Sequence, residues 1–73
     1  MLEMQPTERG FLRSEFVDKC GQKCSLQMSS AANEKCIWLG VSPDRMHLNQ
    51  QMVKDLLFQL QYFVDHGRLY DGE

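Results

Sequence analysis

The sequence predicts an α+β fold: a small antiparallel four-stranded β-meander with one C-terminal helix packed on one face, in the order β-β-β-β-α. Three observations predict it. Residues 52–64 place Met52, Val53, Leu56, Leu57, Leu60, Phe63 and Val64 at helical spacing, between a good N-cap at Asn49 and a good C-terminal stop at Gly67. Residues 24–30 alternate strictly, with Cys24, Leu26 and Met28 on one side and Ser25, Gln27 and Ser29 on the other. Short polar turns separate the remaining apolar stretches.

Taken in order, residues 1–9 (MLEMQPTER) carry Pro6 and no clear period, and read as a flexible N-terminal arm. Residues 11–18 (FLRSEFVD) read as a strand. Phe11 and Phe16 have opposite parity, which calls for a bulge or a late start. A turn around Gly21 leads into the alternating second strand. Residues 29–34 (SSAANE) form a loop of small residues. Residues 35–40 (KCIWLG) are apolar on both parities, as expected of a central strand covered on both sides. Pro43 marks a tight connection, and residues 45–48 (RMHL) form a short strand feeding straight into the Asn49 cap. The single domain therefore spans residues 10–69, and residues 70–73 form a C-terminal tail.

Composition narrows the function. The 73 residues are 42% hydrophobic and 25% charged, with a formal charge of −2. That balance suits an ordinary soluble surface and disfavours broad electrostatic binding to nucleic acid. Residues 1–10 hold no apolar signal-peptide region and no run reaches membrane-spanning length, so the expected location is the cytoplasm, with no membrane partner. A single core at this length is marginal, and dimerisation is a common remedy.

No catalytic motif stands out, and the expected protein is not an enzyme. Cys20, Cys24 and Cys36 with His47 and His66 lack the spacing of a zinc site, so no metal or cofactor is expected. Cys24 and Cys36 fit strand positions, where free cysteine acts as a small hydrophobe. Cys20, beside Lys19 and Lys23 in a turn, is the one conceivable nucleophile, but no histidine is assigned near it.

Two surfaces are candidate binding sites. On the helix, Phe58 and Tyr62 lie four residues apart and nearly opposite the main stripe. With Gln51 and Gln59 as polar rim they suggest an interface, with a homodimer as its expected product. The competing reading is that the N-terminal arm or the C-terminal tail folds over them. On the sheet, Arg13, Ser25, Gln27, Ser29, Arg45 and His47 share the polar face if the meander is ordered as written, and Trp38 or Ile37 joins them, depending on strand parity. A polar and basic face with one aromatic suits single-stranded nucleic acid. The competing readings are an ordinary solvated face or a face used for dimerisation.

Residues 10–69 also resemble a family of short proteins found in bacteriophages and prophages. The pattern is carried by Gly10, Phe11, Glu15, Phe16, Asp18 and Gly21. It continues through Cys24, Ser25, Leu26, Gln27, Ser29 and Ser30, the IWLG string ending at Gly40, and the RMHLN string ending at Asn49. It closes with Val53, Leu56, Leu57, Leu60, Phe63, Val64, Gly67 and Leu69. Many members of that family have proline at the position of Phe58 and a longer segment between IWLG and RMHL, and there this chain departs from them. The resemblance implies a phage accessory protein in the host bacterial cytoplasm that inhibits a host defence or regulatory protein by direct binding, in the manner of an anti-CRISPR or other anti-defence protein. The β-β-β-β-α order is also similar to the transcriptional coactivator fold, which implies the alternative of a dimeric single-stranded nucleic-acid-binding protein.

Overall fold

The computed structural model describes residues 2–72, so Met1 of the arm and Glu73 of the tail lie outside the described residues. The fold is α+β, with one open antiparallel sheet of five strands in sequence order and one C-terminal helix. The strands are β1 (Gln5–Pro6), β2 (Leu12–Val17), β3 (Lys23–Met28), β4 (Cys36–Val41) and β5 (Met46–Asn49), and the helix is α1 (Gln50–His66).

The sheet has one strand more than the expected four. The extra strand, β1, lies in the stretch read as an arm, where Gln5 pairs with Arg13 and Pro6 with Leu12. Sequence periodicity could not reveal a strand of two residues, because alternation needs a longer run. Proline fits there because β1 is an edge strand. The turn that returns the chain is built on Thr7, whose carbonyl accepts from the Gly10 N–H and whose Oγ1 accepts from the Phe11 N–H. The parity conflict of Phe11 and Phe16 is resolved by a late start, since β2 begins at Leu12. The β2–β3 turn is held by Asp18, whose Oδ1 accepts from the N–H groups of Cys20 and Gln22 at 2.9 and 2.8 Å.

The register gives the sheet two unlike faces. Arg13, Gln27, Trp38 and His47 lie opposite one another across β2 to β5 and so share one face. Leu12, Met28, Ile37 and Leu48 form the neighbouring rung, on the other face, and Leu26, Leu39 and Met46 extend that apolar side. Buried residues are few among those described: Cys24, Cys36, Leu48, Ser14 and Ser25.

The helix forms where its caps predict. Asn49 Oδ1 accepts from the Met52 N–H at 2.9 Å, and Gly67, in the left-handed region at φ 75°, donates its N–H to the Phe63 carbonyl at 2.7 Å. Its placement departs from the prediction. α1 is not laid across the sheet, and none of its residues is buried. The physical reason is the junction: β5 ends at Asn49 and α1 begins at Gln50, so no loop exists to turn the helix back over the apolar face. The helix springs from the edge strand, and the molecule measures 45 × 32 × 21 Å.

Candidate functional site

The polar sheet face collects the residues predicted for it. Gln27 stands at its centre, on β3. Its Oε1 accepts from Arg13 Nη1 at 2.6 Å and from Arg45 Nη1 at 2.8 Å. Two guanidinium groups on the same face, one from β2 and one from the residue before β5, thus converge on one neutral oxygen. Arg13 also pairs with Glu15 at 3.3 Å, and Glu15 is exposed. Such a surface pair is worth little and leaves the cluster cationic.

Arg45 reaches Gln27 through a gap that the sequence prepares. Extending the β4–β5 register places Arg45 opposite Gly40, and a Cβ on Gly40 would stand 3.4 Å from the Arg45 Cα. Gly40 has φ 143°, a conformation side-chain-bearing residues rarely adopt. Ser25, the partner of Gly40 on β3, is completely buried, and its Oγ lies 3.5 Å from Arg45 Nη1. Small residues at both positions leave a trough in which the Arg45 side chain crosses the sheet. Its Nε is buried there without a hydrogen-bond partner. An interior strand glycine is a recognised mark of close backbone approach, and that was the signal in the sequence for Gly40.

Beside the cluster, Trp38 and His47 stack across β4 and β5 with ring centroids 4.0 Å apart and planes 14° from parallel. The Arg45 guanidinium carbon lies 5.5 Å from the Trp38 ring centroid, within cation–π range. His47 Nε2 is 2.9 Å from Ser29 Oγ, which fixes the imidazole orientation. Arg13, Gln27, Trp38, Arg45 and His47 therefore form one connected surface. It offers guanidinium N–H groups for a carboxylate or phosphate and stacked rings for a planar group.

The predicted helix interface has a different environment. The C-terminal tail folds over Phe58 and Tyr62, the competing reading of those aromatics. Tyr70 meets Phe58 edge-on at 5.4 Å and Tyr62 at 5.2 Å. Gln59 fastens the tail with two hydrogen bonds, donating to the Tyr70 carbonyl at 3.0 Å and accepting from its N–H at 2.8 Å. Arg68 donates to the Tyr62 hydroxyl at 3.2 Å. Gln51 is bound to Asp55 within the helix at 2.9 Å. Phe58, Gln59 and Tyr62 thus organise the tail, and the apolar stripe on the other side of α1 stays open.

The remaining chemistry is sparse. Cys20 is exposed in its turn, whereas Cys24 and Cys36 are buried. The Cys36 thiol is pushed above its ordinary value by burial, and further by the charge of Glu34 and a contact to its carboxylate. Among the described residues no three His, Cys, Asp or Glu side chains converge as a metal site requires, and no helix is long and apolar enough to cross a membrane. Set against known proteins, the chain matches no family model, and no curated protein or solved structure is significantly similar to it.

Proposed function

We propose that this chain is a non-enzymatic phage accessory protein that inhibits a host defence or regulatory protein by direct binding, and that the polar sheet face makes the contact. The observation that carries the reading is the convergence of Arg13 and Arg45 on Gln27 beside the Trp38–His47 stack. Arginine and aromatic side chains held in fixed positions are what interface hot spots use. The face is held by strands rather than loops, so little ordering is required on binding. The phage setting rests on the motif resemblance of residues 10–69.

The test is capture from bacterial lysate with tagged protein, with and without nuclease, comparing the native chain with Arg13→Ala/Arg45→Ala. A stoichiometric protein partner that survives nuclease and is lost with the double variant supports the reading. A partner retained equally by the variant removes the polar face from it.

The Trp38–His47 stack favours a second reading, binding of single-stranded nucleic acid. Stacking on aromatic side chains contributes about 1–3 kcal/mol per base. The chain has a single tryptophan, so quenching of its fluorescence by an oligothymidine reports on this position directly. Binding at low salt that weakens steeply as salt rises supports this alternative. Undiminished fluorescence, with no mobility shift even at low salt, ends it.

A further inference from the structure

The isolated chain holds both halves of a packed layer and joins neither. One half is the apolar side of the sheet, where Leu12, Met28, Val41 and Met46 are exposed and Leu26, Ile37 and Leu39 are half-buried. The other is the stripe of α1, where Met52, Leu56, Leu57, Leu60, Phe63 and Val64 are all exposed, Val64 at 75%. The two meet at a concavity of about 440 Å³ at the β5–α1 junction, where Met28, Ile37 and Leu48 of the sheet face Val53 and Leu57 of the helix. The apolar surface is therefore continuous from sheet to helix.

A helix owes most of its stability in a protein to the burial of one face. α1 buries none of its residues. Its local support is two caps, the tail, and the side-chain bonds Gln51 to Asp55 and Gln61 to Asp65. Side-chain pairs at that spacing are weak contributors to helix stability. The direct passage from Asn49 into Gln50 denies the helix its own sheet.

We propose that a second copy of this chain supplies the missing layer, with α1 of each copy laid across the apolar sheet face of the other about a two-fold axis. Three observations select this occupant. The two open surfaces are of the kinds that pack together, helix stripe and sheet face, and both lie on one chain, as a self-complementary two-fold interface requires. A helix of 17 residues is roughly 25 Å long, enough to cross five strands spaced about 4.8 Å apart. Ten apolar side chains on these two surfaces of each copy, from Leu12 to Val64, are between 38% and 75% exposed. Two-fold pairing then reaches the roughly 1,000 Å² that a specific interface needs. Pairing of helices alone would leave the sheet face bare. The interface differs from the Phe58 and Tyr62 edge, which the tail occupies, and it leaves the polar face free on the far side. The oligomer and the binding function therefore stand or fall separately.

The experiment reads mass by sedimentation equilibrium on three purified proteins: the native chain, a helix variant (Leu57→Glu/Val64→Glu) and a sheet variant (Met28→Glu/Met46→Glu). These four side chains are exposed in the single chain, so the substitutions fall on its surface and not in its core. The native chain is expected near 17 kDa, twice 8.5 kDa, and each variant at the mass of one chain. Mixing the variants restores dimer in part, because the intact helix of the sheet variant meets the intact sheet of the helix variant. A native chain that stays at the mass of one copy up to millimolar concentration overturns the proposal. So does a sheet variant that dimerises like the native chain, since that result places the contact between helices alone. Absence of dimer in the mixture, with both variants retaining native-like circular dichroism, overturns the reciprocal arrangement.

Discussion

At the scale of single residues, the polar face depends on Gly40 as much as on the arginines it admits. Gly40→Ala places a side chain at φ 143° and is expected to destabilise the protein by roughly 1–2 kcal/mol. The methyl group itself has room at 3.4 Å from the Arg45 Cα, so the cost is conformational. Urea denaturation at fixed protein concentration measures it, and a change within error of zero would contradict the account. The cysteines make a second set. Cys20 is exposed, whereas Cys24 and Cys36 are buried, so iodoacetamide should label Cys20 first and the other two only on unfolding. Peptide mass mapping of a timed reaction follows the order. Cys36 also links stability to pH. Its folded thiol binds a proton more tightly than the unfolded one, whose ordinary value is 9.0. Its contribution to stability is therefore full below that ordinary value and is lost as pH rises through it toward the folded one. Cys36→Ala should remove this alkaline slope in thermal unfolding.

At the scale of elements, α1 is the clearest object in the sequence and the least anchored in the fold. Its start rests on Asn49 and its end on Gly67, both visible as residue types in the expected places. Asn49→Ala is expected to cost about 1 kcal/mol by orphaning the Met52 N–H, measured by thermal unfolding at fixed concentration. An unchanged midpoint would mean that the cap is dispensable. Strand β3 was legible from strict alternation, and β2, β4 and β5 from the turn residues that bound their apolar stretches. β1 was not, because its two residues are selected by pairing with Arg13 and Leu12 rather than by any periodicity of their own. The tail follows the same rule: Tyr70 is placed by Gln59, Phe58 and Tyr62, a contact between distant positions that sequence spacing only suggests.

At the scale of the whole molecule, the buried apolar set among the described residues, Cys24, Cys36 and Leu48, is small for a 73-residue chain. Small domains bury a modest share of their surface and commonly gain stability by association. Folding and pairing should therefore be linked by mass action. The expected result is a thermal midpoint that rises with protein concentration from micromolar to millimolar. A midpoint independent of concentration would show that the open faces are stable in one copy. The polar face adds no such dependence, because its contacts lie within one sheet.

The sequence by itself determined the local objects: an antiparallel meander, a capped C-terminal helix, and a polar face carrying Arg13, Gln27, Arg45 and His47, which Trp38 rather than Ile37 joins only through the strand pairing. These follow from alternation, capping chemistry and turn residues, each of which acts over a few positions. Only the tertiary structure decided where the helix goes, that the short Gln5–Pro6 segment joins the sheet, and that Arg13 and Arg45 meet on one oxygen of Gln27. An apolar stripe states that a helix must be covered, but not by what. The answer lies in the geometry of the Asn49 to Gln50 junction, which carries the stripe away from the sheet of its own chain.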